Sequence, residues 1–167
     1  MSWVEQREEL QRECTSIYKP ARLVPLNTPN DMAITVGPWI LIPKDWSVYS
    51  VRNVMEHECR HAQQYQWCGF GIHPIVGIPL FLLIYGLVLL PCFLALPRVF
   101  FELDAMAWST RRKLRDGRMN TADARAKATR FAKAVFSWKY GKPFFWSLGR
   151  RWFINRVEQI IREEVGG

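Results

Sequence analysis

Val54-Met55-Glu56-His57-Glu58-Cys59-Arg60-His61 reads as the middle of a helix that runs to about Trp67, with Ser47 or Ser50 as its cap and Gly69 and Gly71 behind it. Residues four apart on a helix lie one turn above each other, so the imidazoles of His57 and His61 can both reach one metal ion. Glu58 stands about 100° around the helix from His57, close enough to act on a water at that ion. This is the HExxH pattern, and Zn2+ is the cation it suits. The competing reading is two helix histidines hydrogen-bonded to carboxylates or carbonyls. The chain has three histidines in all, and two of them flank a glutamate at helical spacing, which favours the metal.

A catalytic zinc takes three protein ligands and leaves a position for water. His73 comes twelve residues after His61, whereas the pattern HExxHxxGxxH places its third ligand six residues on. Glu102 is the better candidate, opening a predicted helix as Phe101-Glu102-Leu103-Asp104-Ala105.

An HExxH motif followed about forty residues later by Glu-x-x-Ala resembles the gluzincin metallopeptidases. The short chain resembles the minigluzincins found in bacterial and phage genomes. The resemblance covers about residues 31–115 and implies Glu102 as the third zinc ligand, beside His57 and His61. It also implies peptide-bond hydrolysis with Glu58 as general base and acid, and an upstream strand on which substrate backbone pairs. Ala33-Ile34-Thr35-Val36 and Ile40-Leu41-Ile42-Pro43 match that upstream segment. One position departs from the pattern. Many relatives carry an aspartate four residues after the glutamate ligand, where it orients a zinc histidine, and here that position is Met106. Asp104 lies about 200° around the helix from Glu102, so either another carboxylate orients the histidine or metal affinity is reduced.

The elements around the motif point to an α+β, mostly helical fold in a single domain, 1–167, with a hydrophobic insertion at 72–100. Residues 3–14 read as a short polar helix, and residues 18–30, with three prolines, as an extended connector. Two β-rich runs, 33–36 and 39–42, flank Gly37-Pro38 as a small hairpin or two consecutive strands. Further helices are expected at 101–115, closed by Asp116-Gly117, at about 122–138 behind Asn120 or Thr121, and at about 148–165. The last of these would bury Leu148, Trp152, Val157, Ile161 and Val165 on one face.

Residues 74–97 form a run of 24 without a single charge, long enough to suggest a transmembrane helix. If His61 and Glu102 share one ion, a single span is excluded, because it would set them about 30 Å apart across a bilayer. Two spans need about 40 apolar residues. The run would then form a hairpin or re-entrant segment broken at Gly86 or Pro91, or a pair of short elements buried in protein. A membrane or hydrophobic partner through 74–97 is therefore expected, and the protein is expected to be cytoplasmic or membrane-associated.

The net charge of +8, concentrated after residue 98, suits an anionic surface or a solvated basic face. No nucleic-acid recognition motif accompanies it, so nucleic acid is not an expected partner. Residues 1–16 are charged throughout, unlike a signal peptide, and the four cysteines show no CxxC pair, so they read as reduced thiols. Tyr65 and Tyr140 could donate to a developing oxyanion, or simply pack and hydrogen-bond. Beside the zinc peptidase stands a second reading: a membrane-active or assembly protein, such as a phage virion component, on a peptidase-like scaffold with little catalysis.

Overall fold

Gly37, with φ of +59°, turns the chain between strands β2 (Ile34–Val36) and β3 (Trp39–Ile42), which pair antiparallel with Thr35 opposite Ile40. A left-handed residue is what a tight hairpin needs, and glycine adopts it without strain. The computed structural model describes residues 3–28, 31–86, 96–135 and 146–165. It is mostly helical, with one three-stranded sheet among the described residues, and the fold is α+β.

The third strand lies where a connector was expected. β1 (Arg22–Pro25) runs parallel to β3, Leu23 opposite Ile40, giving the order β1-β3-β2. Its prolines conceal it: Pro20 precedes the strand and Pro25 ends it, where an edge tolerates a missing donor. Burial of Leu23 against Ile40 decides in favour of the strand.

The chain divides into two compact units, Met1–Leu82 and Leu83–Gly167. In the first, α1 (Arg7–Ile17) and α2 (Val48–Cys68) pack with the sheet around Trp3, Leu10, Cys14, Leu23, Ile40, Ile42, Val51, Met55 and Cys59. The N-terminal helix is poor in apolar residues, but a 3-10 turn in front of it buries Trp3, whose indole donates to the Pro43 carbonyl at 2.7 Å. Arg52 forks between Glu9 and Glu13, tying α2 to α1. Ser47 caps α2, its hydroxyl accepting from the Ser50 amide at 3.1 Å.

Behind α2, Gly69 and Gly77 let two backbones meet. A Cβ on Gly77 would sit 1.6 Å from the Tyr65 carbonyl oxygen. This contact leads into α3 (Ile78–Gly86), whose Phe81 ring stacks on Tyr65 at 3.8 Å. Gly86 is the last residue of α3, while Pro91, and with it any return of the apolar run, lies outside the described residues. No helix among the described residues is long and apolar enough to cross a membrane.

The second unit packs α4 (Leu96–Arg115), α5 (Thr121–Val135) and α6 (Trp146–Val165) around Leu103, Met106, Leu114, Ala124, Ala128, Phe153, Val157 and Ile160. Asn120 caps α5, accepting from the Asp123 amide at 2.8 Å. The buried face of α6 is rotated from the expected one. Phe153, Val157, Ile160 and Ile161 point inward while Trp152 and Val165 are exposed. The inward set keeps the i, i+4, i+7, i+8 spacing of one helical stripe, and the expected set drifts off it. Part of the basic surface is paired within the unit: Arg125 forks onto Glu158, Arg115 onto Glu164, and Arg111 reaches Glu163.

Candidate metal centre

The centre is built on the third and fourth turns of α2. His57 is half-buried, and Glu58 and His61 are buried. The Nε2 atoms of His57 and His61 face each other at 3.0 Å, with the rings nearly perpendicular. Two zinc–nitrogen bonds of about 2.0–2.1 Å at a tetrahedral angle would hold such nitrogens about 3.3 Å apart. The pair is thus set almost as a shared ion requires.

Two neighbours escaped the sequence reading. Thr35, on the edge strand β2, donates from its hydroxyl to Glu58 Oε2 at 2.7 Å. One carboxylate oxygen is thereby held, and among the described residues Oε1 takes no hydrogen bond. A polar residue between Ile34 and Val36 was the only local signal. Gln64, fully buried one turn beyond His61, lies with Oε1 2.7 Å from His61 Nδ1.

Tyr65 donates its hydroxyl to the Thr35 carbonyl at 3.1 Å and packs on Phe81. Burial, with smaller contributions from Cys68 and Glu58, pushes its phenol up to about 12, so it stays protonated at neutral pH. Its proton is used structurally, joining α2 to β2. Tyr140 lies outside the described residues.

His73 sits in the exposed turn after α2, where Nδ1 accepts from the Ile75 amide at 3.3 Å. Glu102 belongs to the second unit and lies in the second turn of α4, not at its first residue, because the helix begins at Leu96. Met106 is buried in the core of that unit. Cys14 and Cys59 are buried cysteines outside any disulfide, with Sγ atoms 3.5 Å apart on the core side of α2. Cys92 lies outside the described residues.

Comparison of the chain with family models, with curated proteins and with solved structures finds no match. What the centre can do therefore rests on its own chemistry. Two imidazoles with converging Nε2 atoms and an adjacent, anchored carboxylate are suited to holding a divalent cation and moving a proton beside it.

Proposed function

We propose that this protein is a zinc-dependent peptidase in which His57 and His61 hold the ion and Glu58 handles the proton. The observation that carries the reading is the convergence of the two Nε2 atoms at 3.0 Å beside a carboxylate anchored by Thr35. Glu102 is proposed as the third ligand. Its carboxylate oxygen is the donor type that completes a two-histidine site, and its place in Glu-x-x-Ala follows the gluzincin resemblance.

Zinc, when bound, would lower the pKa of its water to about 7 and polarise the scissile carbonyl. Glu58, with Oε2 held by Thr35, takes the proton of the attacking water on Oε1 as the water oxygen adds to the carbonyl carbon. It then gives that proton to the departing amine nitrogen as the C–N bond breaks, so no proton is gained or lost. The edge strand β2 gives a substrate backbone a place to pair, a β-addition mode.

Glu58→Gln is expected to bind zinc as the parent does and to lose peptide hydrolysis by about two to four orders of magnitude, the usual worth of general acid–base catalysis. Retained hydrolysis in that variant would refute the role of Glu58.

A lipid surface is the proposed partner of the segment that follows α2. Phe70 is 86% exposed in a left-handed backbone conformation, φ +55°, and Ile72 is 72% exposed. Holding a bulky aromatic in that conformation costs about 1–2 kcal/mol, and burial within the chain does not repay it. Trp67, exposed with the Arg60 guanidinium 4.1 Å from its ring, has the amphipathic character of an interfacial anchor. No Asp, Glu, Lys or Arg occurs from residue 61 to 97 to oppose desolvation. Flotation with anionic phospholipid vesicles is expected to carry the protein, and Phe70→Ser with Ile72→Ser to leave it in the dense fraction. Equal flotation of the two would remove these side chains from the contact.

A further inference from the structure

Which nitrogen of His61 carries its proton decides whether the ring can serve a metal through Nε2. A neutral imidazole has one N–H and one bare nitrogen, and a hydrogen bond at one nitrogen fixes the state of the other. We infer that Gln64 is a positioning residue. Its side-chain oxygen accepts the Nδ1 proton of His61 and so turns the Nε2 lone pair toward His57. The inference rests on the metal reading for its purpose but on the hydrogen bond for its substance.

Three observations carry it. The Oε1 atom of Gln64, which can only accept, lies 2.7 Å from Nδ1. The opposite nitrogen, Nε2, is the one that faces His57 Nε2 at 3.0 Å. Gln64 is wholly buried and His61 is 7% exposed, so water does not compete for the Nδ1 proton. The i, i+3 relation on one helix sets the partners a single turn apart, so α2 alone supplies both.

This also supplies what Met106 withholds. An orienting carboxylate is absent at 106, where the side chain packs in the core of the second unit. Gln64 is a neutral replacement drawn from the motif helix itself. An amide in a fully buried position accepts from the ring without burying a charge of its own, which desolvation would penalise.

The test needs no substrate. Long-range 15N–1H NMR of the imidazoles in metal-free protein reads the tautomer directly, and chelator competition reads zinc affinity. The parent is expected to show His61 as the Nδ1–H tautomer. Gln64→Met, similar in length but without the acceptor, is expected to lose that preference and to bind zinc about 10- to 100-fold more weakly, the usual effect of removing such a partner. Gln64→Glu restores an acceptor and is expected to keep the tautomer. An Nε2–H tautomer of His61 in the parent overturns the inference without any variant, and so does Gln64→Met with unchanged tautomer and affinity. A tautomer that follows Gln64 in protein that takes up no zinc supports the hydrogen bond and overturns the metal reading instead.

Discussion

Thr35 contributes one hydroxyl, and that hydroxyl ties the sheet to the carboxylate on which the proposed chemistry turns. Thr35→Val keeps the β-branched shape and removes the donor. It is expected to cost about 1 kcal/mol in urea unfolding, the net worth of one hydrogen bond. Hydrolysis should fall further, by about tenfold or more, because catalysis depends on the placement of the base. A variant that loses stability but keeps its rate per folded molecule would confine Thr35 to structure. The difference between residues that were legible in the sequence and those that were not is one of range. His57, Glu58 and His61 stand out because helical spacing is a local property, readable within five residues. Thr35 meets Glu58 across 23 positions, and such a contact exists only once β2 lies beside α2. Gln64 was within reach of local reasoning, since it follows His61 by one turn. It was missed because a carboxylate, not an amide, was the expected partner.

At the scale of elements, the hairpin, the motif helix and the three later helices could be read from Gly37, Ser47, Asn120 and the period of the apolar residues. β1 could not, because a four-residue strand needs only one well-buried side chain, Leu23, and its flanking prolines argue locally against it. The α6 face was misplaced because Trp152 does not turn to the core: its neighbour Phe153 faces inward instead. The close seam after α2 was signalled only by glycines, whose purpose appears in the geometry. Gly77→Ala would drive a methyl group into the Tyr65 carbonyl. It is expected to destabilise the protein by about 1–3 kcal/mol, the usual cost of overpacking. The near-UV dichroism of the stacked Tyr65–Phe81 pair should weaken with it. A fully stable Gly77→Ala protein with an unaltered aromatic signal would show that this seam is not maintained in solution.

Across the whole chain, charge is unevenly divided. Residues 83–167 carry 16 Lys and Arg against 7 Asp and Glu, whereas residues 1–82 carry 7 against 8. The histidine pair, Glu58, Thr35 and Gln64 thus belong to the nearly neutral unit, and the basic surface to the other. Composition made this division visible, but it did not reveal how many of the cations are already paired with Glu158, Glu163 and Glu164. Whether the histidine pair holds metal is the deciding question for the molecule. Metal analysis of protein purified without chelator or affinity metal addresses this directly. One zinc per chain is expected, retained in Glu58→Gln and lost when His57 and His61 are both replaced by alanine. Substoichiometric zinc, or zinc that survives removal of both histidines, would contradict the account.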